Sequence, residues 1–298
     1  MMSQLLHPTA FRDPAVRDVG VAKTEANIGG ILLDLGKISP SDAERVIKLQ
    51  KEKGMRFGEA AQALGLVTEA DIEQVLAHQF DYPYLRPGQG GFSSELVAAY
   101  RPFSAQVEML RGIRSQLMLR WFANGRKALA IASVEEDDGV SLLAANLAIV
   151  FSQLGEKTLL VDTNLRHPHQ HRIFNVQERH GLSDVLVERA DRSVINKVEP
   201  FVDLSVLTAG TLPPNPQELL NRASFARLNQ QVAQDFDVVL YDVPAFSTGA
   251  DALAVGTQAG GVLLVARKNK TRLSQINAAA DQFGRFGADV IGSVLLED

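Results

Sequence analysis

Lys127-Ala-Leu-Ala-Ile-Ala-Ser133 is followed by Val134-Glu-Glu-Asp-Asp-Gly-Val-Ser141, an apolar helical pattern closed by Gly155, and Lys157-Thr-Leu-Leu-Val-Asp162. A short apolar run, a glycine turn, a helix and a second apolar run ending in a carboxylate describe a βαβ unit, and such units build parallel sheets. The loop between strand and helix lies where free backbone N–H groups and the positive end of a helix dipole would meet phosphate. A P-loop also needs a lysine beside its last glycine to reach the β- and γ-phosphates, and a Ser or Thr to hold magnesium. Gly139 and Ser141 fill two of those positions, and Val140 stands at the lysine's. Glu135, Glu136, Asp137 and Asp138 precede the glycine. Carboxylates beside a helix N-terminus are each favourable by roughly 0.3–1 kcal/mol, and they occupy the field a polyphosphate needs. Taken alone, the stretch is equally consistent with an ordinary strand-to-helix turn capped by acids.

The chain's 298 residues leave room for one large or two modest domains. With 46% hydrophobic and 22% charged residues it is composed like a soluble globular protein. A net charge of −5 argues against a general binder of nucleic acid or anionic membrane. Without cysteine, disulfides, thiolate nucleophiles and Cys-type zinc sites are excluded. No apolar run reaches spanning length and no signal-peptide pattern opens the chain, so the expectation is a cytoplasmic protein.

Residues 1–25 have no sustained period and read as a mobile tail. Residues 26–86 carry an internal repeat in which Gly29 aligns with Gly58, Gly36 with Gly65, Ser39 with Thr68 and Val46 with Val75. Each copy reads as a short helix, a glycine stop, a Ser or Thr N-cap and a second helix, and neither could bury its apolar face alone. Paired, they predict a small helical domain. Residues 87–102 include the glycine-rich Gly88-Gln-Gly-Gly91 and read as a linker.

From 103 to the end the pattern predicts an α/β, doubly wound, mostly parallel sheet of P-loop NTPase type, covered on both faces. Strand candidates are 201–207, Asp237-Val-Val-Leu-Tyr-Asp242, Gly260 to Arg267 and Asp289 to Leu296, with a helix around 272–285. Asp162 and Asp242 each end a strand, where a carboxylate points into the ligand crevice of such sheets and could hold magnesium. His167, His169 and His171 alternate as zinc ligands could, but proline and arginine beside them oppose it. Glu108, Arg111 and Arg114 recur at three-residue spacing and share a helix face. Read from the residues alone, that is a solvated face with internal ion pairs.

Two resemblances follow from these motifs. The repeat resembles the N-terminal domain of type II secretion and pilus assembly ATPases, some of which bind cyclic di-GMP. That likeness implies Gly29, Arg56 and Gly58 as ligand contacts, although Asn27 stands where the first copy's arginine would be. The residues themselves read as a protein-docking domain. The remainder, and with the repeat the whole chain, resembles the chain-length determinant tyrosine kinases of exopolysaccharide operons. In that likeness Ser133 to Ser141 is the Walker A loop, Asp162 to Arg166 the Walker A′ segment and Val238 to Pro244 the Walker B segment. Gly210 to Leu220 is the Pro-Asn-Pro stretch beside the nucleotide.

The likeness implies Mg-ATP as cofactor, held by Gly139, Ser141, Asp162, Arg166 and Asp242, with Asp162 and Asp242 catalytic. It implies a membrane polysaccharide co-polymerase as partner, with association to the membrane through it. It also implies a homo-oligomer closed by Glu108, Arg111 and Arg114. The departures are Val140 for the lysine, Asp137 for a glycine, Asn164 for the second A′ aspartate, and no C-terminal tyrosine cluster. A kinase without these has lost much of its charge stabilisation, which implies a weak or inactive enzyme. The alternatives are an active autokinase and a ParA-like ATPase, the latter lacking its lysine-bearing loop.

Overall fold

The computed structural model describes residues 28–79, 83–86, 88–136 and 139–297. The expected tail (1–25), Asn27, Tyr82, Asp137 and Asp138 lie outside the described residues. The chain divides into two compact units, 1–80 and 81–298.

In the smaller unit the repeat folds as two helix pairs: α1 (Ile28–Asp34) with α2 (Pro40–Lys53), and α3 (Phe57–Ala63) with α4 (Glu69–Gln79). Gly36 and Gly65 both follow a first helix at φ +66°, the left-handed conformation that stops a helix and that glycine adopts without a Cβ clash. Ser39 then caps α2 in a capping box with Asp42. Thr68 caps α4 in the same way: Asp71 N–H donates to Thr68 Oγ1 at 3.2 Å, and Thr68 N–H to Asp71 Oδ2 at 2.9 Å. Lys37 Nζ, in the first copy, meets Asp71 Oδ1, in the second, at 2.6 Å. Ile31, Leu32, Val46, Ala60, Ala61 and Val75 close a shared core, which neither copy could form by itself.

The larger unit holds a seven-stranded sheet in the order β3-β4-β2-β5-β1-β6-β7. Its strands are β1 (Ala128–Ser133), β2 (Thr158–Asp162), β3 (Asn196–Lys197), β4 (Leu204–Leu207), β5 (Val238–Val243), β6 (Gly261–Arg267) and β7 (Asp289–Leu296). All pairings are parallel except β3 with β4. Along β1, Leu129 and Ile131 face one apolar layer while Ala128, Ala130 and Ala132 face the other. The first layer is closed by α5 (Val97–Tyr100), α6 (Ala105–Arg120) and α7 (Val140–Ser152). The second is closed by α9 (Leu182–Leu186), α10 (Pro216–Leu220), α11 (Ala223–Asp235), α12 (Asp251–Ala259) and α13 (Leu273–Arg285). A short α8 (Gln170–Ile173) follows β2. α7 is apolar almost all round because it lies between the sheet and α5–α6, and Leu147, Ile149 and Phe151 are fully buried. Each such side chain contributes roughly 1.5–3 kcal/mol of burial.

The stretch 87–102 differs from the linker expected of it. Leu96, Ala98 and Ala99 are buried in the first layer, together with Leu85. Asn146 on α7 and Gln153 at its C-cap hold this backbone: Asn146 Oδ1 accepts from Ala98 N–H at 2.9 Å, and Gln153 Nε2 donates to Ala98 C=O at 3.1 Å and Pro83 C=O at 3.0 Å. Leu85, assigned by sequence to the helical repeat, packs in the larger unit.

Candidate functional site

Asp162 and Asp242 are in register on the adjacent strands β2 and β5, and both are fully buried. The fold thus brings together the two carboxylates that the sequence placed at strand ends. Asp162 is held by backbone: its Oδ1 accepts from Asn164 N–H at 3.1 Å, and its Oδ2 from His169 and Gln170 N–H at 3.0 Å each. It therefore caps α8. Asp242 Oδ2 accepts from Gln170 Nε2 at 2.7 Å, and the Ser141 hydroxyl also hydrogen-bonds this carboxylate. Gln170 Nε2 donates as well to Ser141 C=O at 2.9 Å, so one side chain ties the first turn of α7 to β5.

Burial holds both carboxyls above the ordinary range. For Asp162 the adjacent Asp242 charge adds to the effect, which outweighs its three backbone hydrogen bonds. Asp242 is pushed up to about 6 by burial, with the Gln170 and Ser141 hydrogen bonds opposing the rise. Two buried acids without a cation resist double ionisation, as expected when like charges share a site. Asp242 Oδ1 and Gln170 Oε1 are buried acceptors with no hydrogen-bond partner. A magnesium ion with its water shell fits this chemistry, because it supplies both the missing positive charge and the missing donors. Among the described residues no group of three or more His, Cys, Asp or Glu gathers as a metal-ion site, the three histidines after β2 included.

A cavity of about 670 Å³ opens over the C-terminal ends of the strands, lined by Ser133, Gly139, Ser141, Asn164, Arg166 and Arg267 among others. Gly139 caps α7 at φ +77°, which leaves the helix's first amides facing the cavity end of the sheet. Val140 is 7% exposed and part of the apolar layer beneath the cavity. Asn164 Oδ1 accepts from His167 N–H at 3.0 Å, a turn-stabilising role that requires no charge. Arg166 Nε donates to Asp251 Oδ2 at 2.7 Å, and Asp251 is 1% exposed, so the A′ arginine is committed to the start of α12. In the acidic loop, Lys270 Nζ donates to Glu136 C=O at 2.6 Å and Gln275 Nε2 to Glu135 Oε1. Sequence reasoning missed Gln170, Asp251 and Arg267. Only the placement of Arg267 at the end of a predicted strand offered a signal.

Glu108, Arg111 and Arg114 do share one face of α6, but that face braces the fold. Arg111 pairs with Glu108 and donates to Pro102 C=O at 2.7 Å; Arg114 Nη1 donates to Val150 C=O at 2.7 Å, on α7. Gly29 and Gly58 are buried in the helical unit. A Cβ on Gly58 would lie 3.2 Å from Ile72 Cδ1, so this glycine serves helix packing. Arg56 is exposed at the N-terminus of α3, with its N–H donating to Glu59 Oε2 at 2.8 Å.

Residues 126–281 match the family model described as cellulose biosynthesis protein BcsQ. The tyrosine-protein kinase YwqD of Bacillus subtilis is 32% identical over 212 residues, 71% of this chain and 90% of that protein. A Klebsiella pneumoniae protein described as a tyrosine-protein kinase in the cps region is 28% identical over 258 residues, 84% of this chain. The chain spans only 35% of that relative's length. Among solved structures, the kinase domain of the Escherichia coli tyrosine kinase Etk matches at 29% identity and TM-score 0.65, over 68% of this chain and 79% of that one. The family model begins at residue 126 and so leaves the helical unit outside it.

Proposed function

We propose, on the premise that the chain belongs to the bacterial tyrosine-protein kinase family with a BcsQ-like P-loop domain, that it is a weak or inactive kinase-like regulator of exopolysaccharide biosynthesis. The observation that carries the reading is Val140. Its side chain is turned into the apolar layer, so the position that should meet the β- and γ-phosphates offers no charge and no donor. Ser141, Asp162 and Asp242 would hold magnesium, whose chemistry when bound is to neutralise phosphate charge. Gln170 keeps Asp242 and the first turn of α7 in place for it. The name of the Klebsiella relative supports the polysaccharide setting. A membrane co-polymerase is the partner this reading takes, reached from the cytoplasm; among the described residues no helix is long and apolar enough to cross a membrane. The helical unit is read as a protein-docking module rather than a cyclic di-GMP site, because Gly58 is spent on packing against Ile72.

One observation favours a second reading, a live Mg-ATP autokinase. Arg267 lines the P-loop cavity, and a Cβ built on Gly139 would lie 3.8 Å from Arg267 Nη2. A guanidinium there could take over the missing lysine's charge. Calorimetric titration of the full chain with Mg-ATP, Mg-ADP and cyclic di-GMP separates these readings. The regulator reading expects no micromolar heat from any of the three. It also expects Val140→Lys alone to restore little nucleotide binding, and Val140→Lys with Asp137→Asn and Asp138→Asn to restore more. Micromolar Mg-ATP binding by the unaltered chain, lost on Arg267→Ala, would establish the second reading instead. Cyclic di-GMP heat lost on Arg56→Ala would make the helical unit a nucleotide site.

A further inference from the structure

A second cavity, of about 630 Å³, lies on the far side of the loop that follows β2 and shares Arg166, His167 and His169 with the P-loop cavity. It opens outside the ends of β2 and β4, in the crevice where parallel sheets bind ligands, and its size falls within the range of small-molecule sites, roughly 300–1,000 Å³. Its cationic side is made by Arg172 and Arg179, while burial and the Arg172 charge keep the neighbouring His171 toward its neutral form. Among the described residues neither Arg172 nor Arg179 forms an ion pair. Glu178 also lines the wall as an anion, with its carboxylate bonded along its own turn: it accepts from the backbone N–H of Arg179 at 2.8 Å and of His180 at 2.9 Å, and meets His180 Nδ1 at 3.2 Å. Arg166 is balanced by Asp251.

The inner wall carries an independent sign of a ligand. Thr208 is 2% exposed and lines the cavity, and its hydroxyl has no hydrogen-bond partner. A buried hydroxyl left unmade is costly, and a ligand oxygen would satisfy it. The remaining wall is apolar, from Pro168, Val176 and Leu212, and Leu212 is 58% exposed. Two guanidiniums outside any ion pair, a buried hydroxyl and an apolar wall suit an anion with an organic body. Guanidinium forks suit phosphate oxygens in geometry as well as charge.

We propose that this cavity binds a phosphorylated small molecule, its phosphate on Arg172 and Arg179, a ligand oxygen on Thr208, and its body against Val176 and Leu212. The site adjoins the P-loop cavity, with which it shares Arg166, His167 and His169, but Arg172, Arg179 and Thr208 line this cavity alone. The test titrates the full chain with uridine diphosphate and with inorganic pyrophosphate, without magnesium, and follows heat and amide shifts by NMR. The expected result is saturable binding, tighter for uridine diphosphate because of the apolar wall. It should weaken about tenfold or more in Arg172→Ala with Arg179→Ala, since charge-assisted hydrogen bonds of this kind are lost. Thr208→Val, close to isosteric, should weaken it as well, and Ser141→Ala should leave it unchanged. Both arginines are exposed, so their loss should leave the thermal midpoint in place and isolate the binding effect. Binding lost in Ser141→Ala and kept in the double arginine variant would overturn the proposal, as would no saturable binding of either probe at millimolar concentration. A phosphotyrosine peptide that binds while neither probe does would also overturn it, in favour of a protein ligand.

Discussion

Asp162 and Asp242 place a cost at the centre of the sheet that a cation would remove. Burial raises both carboxyls, so between the unfolded carboxyl range near pH 4 and the folded value of about 6 for Asp242, the folded chain holds protons that the unfolded chain has released. Protonation of the pair therefore stabilises the fold fully below that window, and the contribution is lost as pH rises through it. For Asp242 the amount is on the order of 2–3 kcal/mol. Asp242→Asn keeps the shape and removes the titration of Asp242 and its charge on Asp162, while the burial of Asp162 remains. Against that variant, the unaltered protein should lose more chemical-denaturation stability from pH 4 to 7, and equal pH slopes would mean that Asp242 is not protonated in that window. At neutral pH, magnesium should restore part of the loss in the unaltered protein and none in Asp242→Asn, because the ion replaces the protons. Much of this was legible in the sequence: a carboxylate ending an apolar strand points to the crevice, and two such strands proved to be neighbours. Gln170 was not legible, because its value lies in where a loop of irregular backbone drops it, and no periodicity reports that.

At the scale of elements, the rim of the second cavity depends on two backbones in close approach. Gly181, before α9, and Gly210, after β4, face each other so closely that a Cβ on Gly181 would lie 2.2 Å from Thr208 C=O and 2.4 Å from Gly210 N. Asp184 locks the junction by accepting from Gly181 N–H at 3.0 Å and Thr211 N–H at 3.1 Å. The clash is with main chain, which cannot swing aside as a side chain can. Gly181→Ala should therefore cost about 3 kcal/mol or more by thermal or urea unfolding. A cost under about 1 kcal/mol would mean that α9 lifts off the sheet freely. The strands themselves were readable because buried parallel strands are continuous apolar runs bounded by turns. Asn196–Lys197 was not: two residues cannot show a period, and they join the sheet only by pairing antiparallel with β4. Residues 87–102 misled for a related reason. Glycine composition suggests a free linker, but Asn146 on α7 and Gln153 at its C-cap, more than forty residues away, supply the hydrogen bonds that hold it down.

At the scale of the whole molecule, the question is whether the α6 face closes an assembly. The family likeness assigns Glu108, Arg111 and Arg114 to a neighbouring subunit, whereas within one chain Arg111 meets Pro102 C=O and Arg114 meets Val150 C=O. Those bonds are charge-assisted, each worth roughly 1.5–3 kcal/mol, so an interface that took both arginines would have to replace them. A neighbour's acidic loop could do so, since Glu135 to Asp138 lie one after another in sequence. Such an interface would be electrostatic, screened over about 8–10 Å at physiological ionic strength, and independent of nucleotide. We therefore expect a homo-oligomer by sedimentation velocity at low salt and tens of micromolar protein, falling to monomer at raised salt. The two roles of the arginines separate in Arg114→Ala, which should lower the thermal midpoint of the monomer at any salt because Val150 C=O loses its donor. Glu108 is the more exposed partner of its pair, with 65% of its side chain accessible against 18% for Arg111. Glu108→Lys should accordingly disturb assembly while sparing the fold. A monomer at low salt, with Arg114→Ala still destabilised, would mean that the face serves only to brace α6 against α7.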